Sequence, residues 1–203
     1  MSPKNEFKAE LLSQLDVYNA TYKLAEEVMS ASHTFDAIVA IARGGFPPAR
    51  FLCDFLNIEK LYSIQIKHYA KGAEQQKKVS VLNKSLGDIK DMKILLVDDV
   101  NDSGKSLIKA KEQLKDASLL KTAVLHEKET TEFKVDFVAD YIHEWKWLIY
   151  PWAAAEDVLE FLHKGNKLDS ELYEAKEYLM NEYDLQVEEL ILRNIMDMKG
   201  NYY

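Results

Sequence analysis

The stretch Ile94-Leu95-Leu96-Val97-Asp98-Asp99-Val100-Asn101-Asp102-Ser103-Gly104-Lys105-Ser106 carries the clearest chemistry in the chain. Four apolar residues lead into an acidic pair, a short polar turn and the start of a helix. The turn from Asp102 to Ser106 offers backbone N–H groups and the hydroxyls of Ser103 and Ser106. At a helix N-terminus such groups favour an anion, so the turn reads as a cradle for one phosphate. Gly104-Lys105-Ser106 also looks like the end of a nucleotide P-loop. That loop needs a glycine five positions before Gly104, where this chain has Asp99. The acidic pair discriminates further. Carboxylates beside a phosphate cradle gain nothing from phosphate itself, but they accept hydrogen bonds from sugar hydroxyls and hold hydrated magnesium.

Elements must carry this segment to a ligand. Asp98 and Asp99 follow a wholly apolar run, the pattern of a central parallel strand covered on both faces. Ala37-Ile38-Val39-Ala40-Ile41-Ala42 is a second such run, broken by Arg43-Gly44-Gly45-Phe46. Pro47-Pro48 can open a helix reaching about Leu56. Before it, Asp16 is expected to cap a helix to about Ser32, with Val17, Thr21, Leu24, Val28 and Met29 on its apolar face. Leu61–Ile66, Thr122–Leu125 and Val135–Ile142 read as strands, and Leu107, Ala110 and Leu114 as a helical stripe. Residues 67–90 are polar and lysine-rich, a long loop of the kind that is usually functional, with a short hairpin arm at Val79–Leu82. Strand and helix alternate from 37 to 125. The fold class expected is therefore α/β, a mainly parallel twisted sheet flanked by helices.

The C-terminal part differs. Leu172, Ala175, Leu179 and Tyr183 form one helical stripe and Val187, Ile191, Ile195 and Met198 another, with Asp184 expected to cap the second. The sequence thus divides into a first domain at 1–156 and an acidic helical appendage at 157–203.

Composition limits the partners. Charge is −8 overall, and residues 153–203 hold 12 acidic against 5 basic residues, so neither part has the dense positive surface that nucleic-acid binding needs. No apolar run is long enough to span a bilayer, and no signal peptide is evident at Met1–Glu6, so no membrane partner is expected. Cys53 is the sole cysteine, which suits a reducing cytoplasm, and it sits among Phe51, Leu52, Phe55 and Leu56 as a buried thiol. His33, His68, His126, His143 and His163 lack metal-ligand spacing.

The 94–106 segment resembles the PRPP-binding signature of the type I phosphoribosyltransferases (PRPP is 5-phosphoribosyl 1-diphosphate). Arg43-Gly44-Gly45 resembles their diphosphate-binding loop, and Trp147-Leu148-Ile149-Tyr150-Pro151-Trp152 resembles the base-binding hood of bacterial and archaeal xanthine-guanine enzymes. The likeness covers about residues 8–156. It implies a Rossmann-like core with a small hood, acting in the cytoplasm as a homodimer or homotetramer. It implies that Asp98 and Asp99 meet the ribose hydroxyls, with Asp99 also near Mg2+. Asp102, Ser103, Gly104, Lys105 and Ser106 then surround the 5-phosphate, and Asp102 faces N7 of the purine as the catalytic proton acceptor. Arg43 and Gly44 hold the diphosphate, and Lys77 or Lys78 of the family's mobile loop closes over PRPP. Lys128 donates to the purine 6-oxo group, Trp147 stacks on the base and the Leu148 backbone reads its edge. The implied activity is transfer of the phosphoribosyl group to guanine, xanthine or hypoxanthine in purine salvage. The alternatives are another base, such as adenine or a pyrimidine, or a regulator that senses PRPP on the same fold. Lys105 departs from the xanthine-guanine pattern, which has glycine there, and Ala153-Ala154-Ala155 after the hood is bland.

Overall fold

The computed structural model describes residues 7–69 and 78–203. Chain contacts divide it into two compact units, one of Val17–His143 and one of residues 1–16 with Glu144–Tyr203. The sequence places its boundary after residue 156. Compactness instead joins the hood segment to the helical tail.

The 17–143 unit is built on a six-stranded sheet. Its strands are β2 (Ala37–Ala42), β3 (Leu61–Tyr69), β4 (Lys78–Ser85), β5 (Lys93–Asn101), β6 (Leu119–Lys128) and β7 (Phe137–Ile142), in spatial order β4-β3-β2-β5-β6-β7. All neighbours are parallel except β3 and β4. The fold class is therefore the mixed α/β, mostly parallel arrangement that strand–helix alternation requires. β2 and β5 are apolar because both faces are covered: Ala37 to Ile41 and Ile94 to Val97 are all buried. Helix α1 (Gln14–Ser30) buries Val17, Ala20, Thr21, Leu24, Ala25 and Val28. Helix α2 (Phe46–Phe55) starts on two prolines, whose fixed φ suits a first turn. Helix α3 (Lys105–Lys111) is two turns long, and Leu114 stays buried just beyond it.

Strand order reverses between β2 and β5. The chain runs outward from β2 to β3 on one side and from β5 to β6 on the other. In open parallel sheets, ligands bind beyond the carboxyl ends of the strands at such a switch point. Here those ends carry Arg43-Gly44-Gly45 and Asp98 to Ser106.

Several expectations change. Asp16 is not the first cap of α1. The Ser13 hydroxyl accepts from the Asp16 N–H at 3.1 Å while the Asp16 carboxylate accepts from the Ser13 N–H at 2.8 Å, a reciprocal capping box. Residues 67–90 are less of a loop than their polarity suggests, since β3 runs to Tyr69 and β4 fills Lys78–Ser85. An edge strand tolerates polar side chains because it need not be apolar on both faces.

The other unit pairs β1 (Ala9–Leu11) with β8 (Trp147–Ile149) in parallel and adds helices α4 (Ala154–Lys164), α5 (Leu172–Tyr183) and α6 (Glu189–Asp197). Ala9, Ile149, Val158, Leu159, Phe161, Leu162, Ala175, Leu179, Leu192 and Ile195 share one core. The sequence reading misses β1, β8 and α4. The strands have three residues each, too short for an alternating pattern. The bland alanines are the start of α4. Asp184 does not cap α6. It ends α5 in the left-handed conformation at φ 53°, and Glu188 precedes α6. In α6 the buried residues are Leu192 and Ile195, whereas Ile191 and Met198 face outward.

Candidate active site

β5 extends through the acidic pair. Asp98 and Asp99 are therefore strand residues, held by the ladder with β6, where Asp98 lies opposite Val124 and Asn101 opposite Glu127. The Asp98 carboxylate accepts the Asp99 N–H at 3.0 Å, and the Asp99 carboxylate accepts the Val100 N–H at 2.8 Å. Asp98 is buried, and burial followed by the neighbouring Asp99 charge holds its pKa well above the usual carboxylate range.

Gly44 explains how two loops meet. A methyl group added there falls 2.0 Å from Asp99 Oδ2. The loop after β2 and the acidic pair on β5 thus lie in close contact, and any side chain at 44 would have to displace the Asp99 carboxylate. At Gly45 an added Cβ would lie 2.5 Å from the Val97 carbonyl oxygen, which is backbone. Arg43 is exposed at the same sheet end.

After Asn101 the chain turns sharply. Gly104 sits at φ 75°, and an added Cβ there would lie 2.2 Å from Phe133 Cβ. Both the left-handed backbone and the close neighbour demand glycine. Ser103 and Lys105 are exposed, Ser106 is half-buried, and the Ile108 N–H bonds to the Gly104 carbonyl at 2.9 Å. Since α3 has only seven residues, its macrodipole is short. The N–H groups of the turn and the Lys105 charge are the features here that can attract an anion.

Lys128 is the last residue of β6 rather than a loop residue, and it is only 4 % exposed. Burial pulls its ammonium pKa below the usual lysine range, while the Asp102 carboxylate acts the other way. Its Nζ lies 3.6 Å from Asp102 Oδ1. A donor and an acceptor thus stand side by side at the mouth of the turn.

Trp147 and Leu148 belong to the other unit, on β8. Trp147 is 36 % exposed, and one face lies against Phe7 with ring centroids 6.1 Å apart. The Trp147 N–H bonds to the Lys8 carbonyl, and the Ile149 carbonyl accepts the Leu12 N–H. Alternation along a parallel strand therefore turns the Leu148 N–H and C=O away from β1. Trp152 stacks on Tyr150 at 4.9 Å. Lys77 lies outside the described residues, and Lys78 starts β4.

The sequence reading overlooks three residues beside the turn. Asn101, Glu127 and Thr131 are buried and hydrogen-bonded to one another. The signal available was polarity at the ends of two otherwise apolar strands. Cys53 is buried with its thiol pKa raised by burial, an inert group.

Among the described residues no group of three or more His, Cys, Asp or Glu side chains is placed to hold a metal. Two adjacent carboxylates, one buried and one beside Gly44, are nonetheless a fitting donor set for magnesium. That ion usually takes one or two protein carboxylates and completes its shell from water and substrate phosphates.

The chain matches the model of the phosphoribosyl transferase domain over residues 8–156. It is 33 % identical over 129 residues to a xanthine-guanine phosphoribosyltransferase of Ruegeria sp., covering 61 % of this chain and 72 % of that one. It is 36 % identical over 103 residues to an orotate phosphoribosyltransferase of Methanospirillum hungatei, covering 51 % and 55 %. Among solved structures, a purine phosphoribosyltransferase from Pyrococcus horikoshii superposes with a TM-score of 0.63 at 32 % identity, covering 72 % of this chain and 94 % of that one. A switch-point cradle, a glycine pressed on an acidic pair and these relatives agree: the chain belongs to the phosphoribosyltransferase family and is a phosphoribosyltransferase.

Proposed function

We propose that the enzyme transfers the 5-phosphoribosyl group of PRPP to a 6-oxopurine, that is guanine, xanthine or hypoxanthine, for purine salvage. The observation that carries this reading is the Lys128–Asp102 pair at 3.6 Å. A 6-oxopurine presents O6, an acceptor, next to N7, which can bear a proton. Lysine donates and cannot accept, and a carboxylate accepts. The pair therefore complements that edge and mismatches adenine, whose 6-amino group is a donor.

In this reading the 5-phosphate rests on the Asp102–Ser106 turn, and Asp98 and Asp99 accept from the ribose hydroxyls. Arg43 and the Gly44 N–H hold the diphosphate. Trp147 covers the base, and the Leu148 backbone reads its edge. The new bond forms between a base ring nitrogen and ribose C1, and the C1–O bond breaks with its electron pair leaving on diphosphate. Asp102 takes the proton released at N7. Positive charge building on the ribose is favoured by Asp98 and Asp99, and the negative leaving group by Arg43. Magnesium near Asp99, when bound, adds charge neutralisation on the diphosphate.

The test is diphosphate release from PRPP and Mg2+ with guanine, xanthine, hypoxanthine, adenine and orotate. Release with at least one oxopurine and little with adenine supports the reading. Orotate belongs in the panel because of the Methanospirillum relative, and preference for it would replace the purine reading. Binding of PRPP with no turnover on any base would mark a sensor. A cytoplasmic enzyme acting as a homodimer or homotetramer fits the same reading, and mass in solution measures the assembly.

A further inference from the structure

Glu127 is a carboxylate at 2 % exposure, one residue before Lys128, and the reaction as drawn makes no use of it. A buried acid is costly unless it is fully hydrogen-bonded. Its partners show what it is for. Asn101 Nδ2 donates to Glu127 Oε2 at 2.9 Å, and the same amide donates to the Phe133 carbonyl at 2.7 Å. Asn101 Oδ1 accepts from the Thr131 hydroxyl at 3.1 Å. The Val135 N–H reaches Glu127 Oε2 at 3.4 Å, and Lys134 Nζ reaches Oε1 at 3.3 Å. Asn101 thereby uses both its donors and its acceptor, and at 1 % exposure no water need intervene.

These bonds fasten residues 131–135 to the ends of β5 and β6. The fastened segment is the one that backs the phosphate turn, because Phe133 Cβ occupies the space beside Gly104. The Lys111 ammonium sits over the Phe133 ring at 5.7 Å, a further tie between that segment and α3. Asn101 itself directly precedes Asp102.

We propose that Asn101 is a positioning residue that sets the phosphate turn, by locking the Thr131–Val135 segment under Gly104 through Glu127. This rests on the reading that Asp102 to Ser106 takes the 5-phosphate. Asn101 touches no substrate. It fixes the surface on which the turn lies, and so the direction of the N–H groups that meet phosphate. A displacement of the turn by a fraction of an ångström weakens several phosphate contacts together.

The experiment uses the full-length enzyme with its best base and, separately, ribose 5-phosphate as a probe carrying the phosphate alone. Asn101→Ala, Asn101→Asp, Thr131→Val and the double variant Asn101→Asp with Glu127→Gln are compared. Asn101→Ala is expected to raise the KM for PRPP and the inhibition constant of ribose 5-phosphate by about tenfold, with the KM for the base changed less than threefold. Asn101→Asp sets two carboxylates face to face and should be as impaired or worse. The double variant restores the amide–carboxylate bond with positions exchanged but cannot donate to the Phe133 carbonyl, so it should recover part of the loss relative to Asn101→Asp alone. Thr131→Val should shift the same two constants in the same direction by less, and it keeps the question open to measurement if Asn101→Ala does not fold. Melting loss with unchanged KM and ribose 5-phosphate inhibition in the soluble variants would reduce Asn101 to ordinary structural polarity and overturn the proposal. A double variant no better than Asn101→Asp alone would do the same, because Glu127 would then be no part of the lock. Failure of the functional reading looks different: the unaltered enzyme would then release no diphosphate with any purine.

Discussion

In the proposed function Lys128 serves recognition and Asp102 serves chemistry, and the two can be separated by substitution. Lys128 is buried and Asp102 half exposed, so the lysine depends on the carboxylate for much of its charge stabilisation. Asp102→Asn keeps the shape but removes the proton acceptor. Turnover with the best base should fall on the scale of general-base contributions, about 10²–10⁴-fold, with the PRPP KM little changed; unchanged turnover would remove Asp102 from the mechanism. Lys128→Ala should cost oxopurines a charge-assisted bond of about 1.5–3 kcal/mol and affect adenine less. Equal losses on both bases would mean that Lys128 does not read position 6. Asp98 yields a pH prediction. Its folded pKa is raised, chiefly by burial. Such an acid contributes stability below its unfolded pKa, about 3.9, and loses that contribution as pH rises through the folded value. Without ligand, Asp98→Asn should therefore raise the Tm at pH 7 and flatten the decline in stability above about pH 4, while weakening PRPP binding. A lower Tm at every pH would show that the Asp98 carboxylate is stabilising after all.

At the scale of elements, the legible parts were those with long, one-signed patterns. Ala37–Ala42 and Ile94–Val97 are apolar throughout because helices cover both faces, and that pattern needs no tertiary knowledge. The motif residues after them stand out by types and spacing that a phosphate ligand would ask for, and the fold brings Gly44 against Asp99. Less legible was where a strand ends. β5 and β6 continue past their apolar runs into Asp98–Asn101 and His126–Lys128, since parallel pairing keeps the ladder intact even where the side chains turn polar. Asn101, Glu127 and Thr131 escaped notice for this reason: their meaning lies in one another, across strands and a loop. Short elements escaped for another. β1 and β8 have only three residues each, and α4 begins in alanines with no face of their own. Gly104 gives the element-level prediction. Gly104→Ala must place a methyl group 2.2 Å from Phe133 Cβ at a left-handed φ, so segment 131–135 or the turn must move. Affinity for ribose 5-phosphate should fall about tenfold or more as the N–H groups of the turn are displaced, and left-handed strain should separately cost roughly 1–2 kcal/mol of stability. Normal ribose 5-phosphate inhibition in a folded Gly104→Ala enzyme would separate the turn from the phosphate site.

On the scale of the whole molecule, the proposed roles divide along the two compact units. PRPP-handling residues 43, 44, 98, 99 and 102–106 lie within Val17–His143, whereas Trp147 and Leu148 share a unit with the acidic helices. β8 rests on a core closed by those helices, since Ile149 is buried with Val158, Leu162, Leu179, Leu192 and Ile195. In the proposed reading the tail supports the β8 segment and takes no part in the chemistry. Truncation after Leu168 removes α5 and α6, and the buried side chains lost exceed what one small unit can spare at about 1.5–3 kcal/mol each. Leu192→Ala is the milder test, with an expected cost of about 2–5 kcal/mol. Both changes should lower thermal stability and raise the KM for the base, and neither should alter PRPP contacts. The PRPP KM should accordingly stay within roughly threefold, since losing one charge-assisted phosphate contact would cost more. Steady-state kinetics in both substrates, alongside mass in solution, decides the matter. A PRPP KM raised tenfold with the base KM unchanged, in a protein of normal assembly, would show that the tail serves the phosphate end instead.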